Sequence, residues 1–156
     1  MTSLLWLRRD LRLGDNPALN AAFNAALNGN MSPGAIIPVY IDDPDHQAKL
    51  PPTALEGGAS QWWLHHSLTA LAESLEELGS RLIVRRGKST EELDRLIRET
   101  GATAVYWNRD LTPAGIERDR AIKQDLRARG IEARSFNAAL LHEPWQILNK
   151  QGYPYK

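Results

Sequence analysis

The sequence predicts an α/β fold: a five-stranded parallel sheet in the order 3-2-1-4-5 with helices on both faces. Three observations predict it. Short apolar runs rich in β-branched and aromatic residues alternate with stretches of helical periodicity. Turn and capping residues separate them. The length, 156 residues, suits one domain with one core. Strands that alternate with helices need crossover connections, which give a parallel sheet covered on both sides. The expected architecture is therefore a three-layer Rossmann-like sandwich over residues 1–136.

The elements follow in order. The first strand is read at Ser3–Arg8 and the second at Ala35–Ile41, closed by Asp42-Asp43-Pro44. Pro38 sits inside the second run, although proline cannot donate to a ladder. The third strand is read at Ser80–Arg85, the fourth at Thr103–Asn108 and the fifth at Ile131–Phe136. Asn16 can cap a helix that Pro17 begins and that ends near Leu27. The longest helix is expected at Ser60–Leu78, with apolar residues at three- and four-residue spacing. Ser89 is read as the cap of a third helix, with Glu92 completing a capping box and Gly101 ending it. The last helix is expected from Pro113 to Arg129, with Gly130 as its stop.

From Asn137 the alternation ends. Residues 137–156 hold Leu140, Leu141, Trp145, Ile147, Tyr153 and Tyr155 without periodicity. A polar linker would not carry that much apolar surface, so this segment is expected to pack against another surface or to self-associate.

Composition excludes several classes. With no cysteine, disulfide scaffolds, thiolate zinc sites, iron–sulfur clusters and cysteine nucleophiles are out. No apolar run approaches the roughly 20 residues that span a bilayer. Leu4–Leu7 is too short for a signal-peptide core, which makes a cytoplasmic location and no membrane partner the expectation. Nineteen basic residues balance nineteen acidic ones, so this segment by itself lacks the excess positive charge of a strong nucleic-acid binder. The first strand leads into RRDLRLGDN rather than a G-x-G-x-x-G turn, and no G-x-x-x-x-G-K-[ST] occurs.

Open parallel sheets bind ligands beyond the carboxyl ends of their strands, where the strand order reverses. In the order 3-2-1-4-5, strands one and four meet there. Their following loops carry Arg8-Arg9-Asp10 and Asn108-Arg109-Asp110. Carboxylate, amide and guanidinium groups together suit a planar heterocycle with imide or amide edges. Equally, Asp10 and Asp110 can pair with nearby arginines and only fix the loops. Trp62-Trp63 can stack on a base or chromophore, or lie in the core. His65 and His66 point about 100° apart on a helix and cannot face one metal together.

Four segments carry a resemblance: LLWLRRDLRLGDNPAL (4–19), SQWWLHHSL (60–68), AVYWNRDLTPAGIERD (104–119) and LLHEPWQILNKQGYPYK (140–156). Together they resemble the N-terminal α/β antenna domain of the DNA photolyase and cryptochrome family. The resemblance implies an antenna chromophore on residues 1–136, either a deazaflavin or methenyltetrahydrofolate. Residues 137–156 would then begin the linker toward a helical FAD-binding domain of the same protein, outside this sequence. The implied function is that of a deoxyribodipyrimidine photolyase, a flavoprotein lyase in which light drives repair of pyrimidine dimers. Damaged DNA would be a partner of the full-length protein only, and no catalytic residue falls in this segment. Carried over by position, the pigment would touch Tyr40, Ile41, Asp42 and Asp110, and the loops at the strand reversal add Arg9, Asp10 and Asn108. The Asn-Glu pair that grips folate in relatives is absent at Leu111–Ala114. Gln61 stands where relatives that bind deazaflavin often have Arg. The same domain of a cryptochrome light sensor, a free-standing nucleotide-binding domain and a scaffold that binds nothing are the alternatives.

Overall fold

A computed structural model describes residues 1–28, 34–49, 57–143, 147–149 and 151–153. The chain runs β1 (Thr2–Leu7), α1 (Pro17–Leu27), β2 (Ala35–Asp42), α2 (Pro44–Gln47), α3 (Gly58–Glu77), β3 (Ile83–Arg86), α4 (Ser89–Thr100), β4 (Ala104–Asn108), α5 (Pro113–Ala128) and β5 (Glu132–Phe136). The strands form one sheet in the order β3-β2-β1-β4-β5, and every pairing is parallel. This is the expected topology.

Side-chain alternation divides the core into two layers. Leu4 and Trp6 of β1 join Val105 and Trp107 of β4 on one face, under Leu93, Leu96 and Ile97 of α4 and Ile122 and Leu126 of α5. Leu5 and Leu7, with Ala104 and Tyr106, point the other way and meet Ala18 and Ala22 of α1 and Leu71 and Leu75 of α3. All five residues of β4 are buried, as a strand covered on both faces must be.

Pro38 is accommodated by register. It lies opposite Leu5 of β1, and β3 joins β2 only from Val39 onward. The third strand accordingly starts at Ile83 rather than Ser80. Gly79 takes a left-handed φ of 74°, and the Ser80 N–H bonds back to Leu75 O at 2.8 Å, which ties both residues to the end of α3.

The ends of α1 match expectation: Asn16 accepts from Leu19 N and Pro17 occupies the first turn. The capping of α4 does not. Ser89 is the first helical residue and Lys88 the cap position. The acceptor at this helix start is Asp43, 46 residues away, whose Oδ2 takes the Ser89 N–H at 2.9 Å and the Ser89 hydroxyl at 2.6 Å. Glu92 is buried and pairs with Arg95 instead of reaching back in a capping box.

Trp62 and Trp63 also depart from a core role. They are 62% and 71% exposed, because α3 buries its later residues, Leu71 and Leu75, against the sheet. His65 and His66 lie on its exposed face. Past β5, Leu140, Leu141, Ile147, Leu148 and Tyr153 are exposed, the apolar display expected of this tail. Trp145 and Tyr155 lie outside the described residues.

Candidate functional site

The carboxyl ends of β1, β2 and β4 converge where the strand order reverses. A cavity of about 670 Å³ opens there, within the range of small-molecule and cofactor pockets. Trp6, Tyr40 and Ile41 line it from the sheet, and Trp63 and Leu64 from α3. Its polar side is made by Arg8, Arg9 and Arg12 from the β1–α1 loop, Asp43 and His46 around α2, and Asp110 and Arg118 from the β4–α5 region.

A charge network forms its floor. The Arg8 and Arg118 guanidiniums lie 4.5 and 5.1 Å from the centroid of the Trp6 ring. Two cations this close need a shared counterion, and Asp119 supplies it. Its Oδ1 accepts from Arg8 Nη1 at 2.8 Å and from Arg118 Nη2 at 3.0 Å, while its Oδ2 accepts from Trp107 Nε1 at 3.0 Å. Burial, then the Arg8 charge, holds Arg118 below its usual pKa against the pull of Asp119 and Asp110.

Asp110 enters the cavity from the start of α5. Oδ1 accepts from Thr112 N at 3.0 Å and from the Thr112 hydroxyl at 2.9 Å; the same hydroxyl oxygen then accepts from Gly115 N at 3.1 Å. Among the described residues Oδ2 keeps only longer contacts, 3.4 Å to His46 Nε2 and 3.5 Å to Arg118 Nη2. Burial alone would raise the carboxyl pKa. The Thr112 hydrogen bonds, with Arg8 and Arg118, bring it below the usual carboxylate value. Burial and the Arg118 charge lower His46, which favours neutral imidazole beside the carboxylate.

The turned-in position of Asp110 depends on Gly115. A Cβ at Gly115 would lie 2.3 Å from Asp110 Cγ and 2.5 and 2.7 Å from the two carboxylate oxygens. The site therefore requires glycine for space, not for an unusual φ.

The residues expected at the pigment divide into groups. Arg9, Tyr40, Ile41 and Asp110 line the 670 Å³ cavity. Asp10 and Asn108 line a second cavity of about 360 Å³, with Arg9, Asp110, Ala138 and Ala139. Asp42 lines neither; its carboxylate accepts from Gln47 Nε2 at 3.1 Å and pairs with Arg86 at 3.4 Å. The loops after β1 and β4 do not stand apart across one open crevice. Asp10 accepts from Asn108 Nδ2, and Arg8 donates to the Asn108 carbonyl, so the loops are joined and the larger space lies over β1 and β2, toward α3.

Asn108 has its side chain fully engaged. Its Oδ1 accepts from Ala18 N at 3.1 Å, and its Nδ2 also donates to Asn16 Oδ1 at 2.8 Å. It thus locks the start of α1 to the end of β4. Reading the residues in order missed His46, Leu64 and Arg118. His46 belongs to a four-residue helix that leaves no periodic signature. Arg118 lies on a helix whose apolar residues Ile122 and Leu126 give no sign of it, and only the topology turns it toward Trp6. Among the described residues, no cluster of metal-ligating side chains forms and no helix is long and apolar enough to cross a membrane.

Comparison with known proteins places this geometry in context. The family model for DNA photolyase matches residues 3–156. The deoxyribodipyrimidine photo-lyase of Agrobacterium fabrum is 46% identical over 153 residues, 98% of this chain and 29% of its own length. Cryptochrome-1 of Arabidopsis thaliana is 39% identical over 154 residues, 98% of this chain and 21% of its own. Among solved structures, a bacterial class III photolyase from Agrobacterium tumefaciens superposes with a TM-score of 0.84 at 45% identity, covering 99% of this chain and 29% of that one. An archaeal photolyase from Sulfolobus tokodaii, solved with two FAD molecules and discussed for a novel light-harvesting cofactor, gives 0.78 at 31% identity, covering 92% of this chain and 31% of that one. The chain thus spans less than a third of the length of these relatives. Matched from its third residue to its last, this chain belongs to the DNA photolyase family.

Proposed function

We propose that this chain is the light-harvesting domain of a deoxyribodipyrimidine photolyase and that the cavity over β1 and β2 holds its antenna chromophore. One observation carries the reading. A carboxylate, Asp110, enters an aromatic-walled cavity of about 670 Å³ at the reversal of strand order, with its Oδ2 only loosely engaged. Such an oxygen can accept from the N–H on the edge of a planar heterocycle, while Trp63 and Leu64 of α3 and Ile41 of β2 supply apolar surface for the ring. Thr112 holds Asp110 in place, and its hydrogen bonds with the Arg8 and Arg118 charges favour the ionised carboxylate. The family provides the precedent for a pigment, and the Sulfolobus tokodaii protein for a flavin as a second chromophore. Asp10 and Asn108 act one step away by fixing the two loops.

A bound pigment would supply light absorption and pass its excitation to FAD, which drives dimer splitting in the full-length protein; the chain's own part is to place and orient it. Residues from 137 onward then lead toward the helical FAD-binding domain. An absorbance spectrum from 300 to 500 nm tests the reading, recorded on the chain after incubation with methenyltetrahydrofolate or a deazaflavin and removal of free pigment. A retained, shifted band that Asp110→Ala abolishes supports it; no retained band with either pigment contradicts it. The extent of the Arabidopsis cryptochrome match favours the same domain in a light-signalling protein as the second reading. Repair of a pyrimidine dimer by the full-length protein under blue light separates the two.

A further inference from the structure

We propose that Arg9 and Arg12 form an anion-binding edge on the main cavity, which selects pigments that carry a phosphate or carboxylate tail. The inference rests on the antenna reading and adds the chemical class of the ligand. Four arginines line the cavity, against two carboxylates, Asp43 and Asp110. Two of the four are neutralised from within: Arg8 by Asp119, and Arg118 by Asp119 and Asp110. The other two have no carboxylate partner among the described residues. Arg12 donates to neutral carbonyl oxygens, Asp15 O at 3.0 and 3.2 Å and Ala138 O at 3.2 Å, which hold the guanidinium in position without an ion pair among the described residues. Arg9 makes no hydrogen bond or ion pair among the described residues, is exposed, and borders both cavities.

Asp43 is not ion-paired with them: its carboxylate accepts from Ser89 N, from the Ser89 hydroxyl and from His46 N. The cavity therefore has an aromatic and apolar wall for a ring, one carboxylate for the ring's N–H edge, and a positively charged border on the β1–α1 loop. That combination fits an amphipathic ligand: a flat heterocycle ending in an anion. A flavin phosphate and the glutamyl carboxylates of a folate share this chemistry, and guanidinium binds either in a fork. Neutral ring systems lack it.

Matched probe pairs test this on the 156-residue chain. Riboflavin and FMN differ only in the phosphate; methenyltetrahydrofolate and the same pterin with a plain carboxamide in place of the glutamate differ in the carboxylates. Dissociation constants come from quenching of pigment fluorescence. The expected result is that the charged member of at least one pair binds about tenfold tighter, the equivalent of one charge-assisted contact. Which pair discriminates identifies the tail. Arg9→Gln, a change at an exposed side chain, should reduce that ratio several-fold. Arg9→Gln with Arg12→Gln should bring it near one. Raising the salt should weaken only the charged member. Equal binding of both members of each pair overturns the anion edge and leaves the antenna reading standing, as does a ratio that survives the double substitution. If neither these probes nor the deazaflavin of the absorbance test binds, the antenna reading fails and the anion edge with it.

Discussion

Replacing Gly115 with alanine tests whether the Asp110 carboxylate is held by the start of α5. Two effects oppose each other. Alanine in place of glycine in a helix is favourable by up to about 1 kcal/mol, less in the first turn. The new Cβ, however, would sit 2.3 Å from Asp110 Cγ, so the carboxylate must leave. It then gives up Thr112 N and the Thr112 hydroxyl, charge-assisted bonds at 3.0 and 2.9 Å that are together worth roughly 1.5–3 kcal/mol on a mostly buried group. Loss outweighs gain by about 1–2 kcal/mol. At an unfolding entropy of roughly 0.3 kcal/mol per kelvin for a chain of this length, Tm falls by about 3–6 °C. In the Asp110→Ala background nothing obstructs the Cβ, so Gly115→Ala should be neutral or raise Tm by about 1–3 °C. The sign should therefore reverse between backgrounds, with a coupling of about 2 kcal/mol in a double-mutant cycle read by thermal or urea unfolding. Equal effects of Gly115→Ala in both backgrounds would refute this account of the Asp110 position.

Three further outcomes are expected. Asn108→Ala leaves the buried Ala18 N–H without its acceptor and removes the donor to Asn16 and Asp10; it should cost about 3 kcal/mol, or about 9 °C in Tm, and a shift below about 2 °C would contradict its locking role. Burial would raise Asp43, but hydrogen bonds from Ser89 and His46 and the Arg118 charge bring its folded-state pKa below the ordinary 3.8. Its stabilisation is therefore complete above pH 3.8 and lost as the pH falls through the lower folded value. Asp43→Asn should destabilise by about 2 kcal/mol at pH 7 and flatten the acid limb of stability against pH, and an unchanged acid limb would refute that linkage. The exposed Leu140, Leu141, Ile147, Leu148 and Tyr153 should make the chain self-associate at high micromolar concentration, whereas a strict monomer by light scattering would contradict this.

Much of the architecture was legible because it is written locally. Leu4–Leu7 alternates between two buried faces, Asn16-Pro17 begins a helix in one short stretch, and helix-period segments between strands leave few parallel topologies. The carboxyl-end loops were also identifiable, and Asp110, Arg9, Tyr40 and Ile41 do gather at one cavity. What escaped was long-range. Ser89-x-x-Glu92 has the form of a capping box, yet Asp43 reaches α4 from the end of β2 and takes the acceptor role. Trp62 and Trp63 on a long helix suit a core, but α3 buries its later residues, Leu71 and Leu75, and pattern carries no information on which part of a helix the sheet covers. Whether Asp10 bonds a ligand or a loop depended on Asn108, 98 positions away. The His46–Asp110 contact joins α2 to the loop after β4, which only the strand order brings together.

The most direct test of the central claim is a ¹⁵N–¹H NMR titration of the chain with antenna pigment, following its five indole N–H resonances. The cavity reading predicts that Trp63 and Trp6, which line it, shift with the pigment, together with backbone amides of the β1–α1 loop and α2. It predicts that Trp107, fully buried and hydrogen-bonded to Asp119, stays in place. Saturable shifts confined to other surfaces, with Trp63 and Trp6 unmoved, would contradict it.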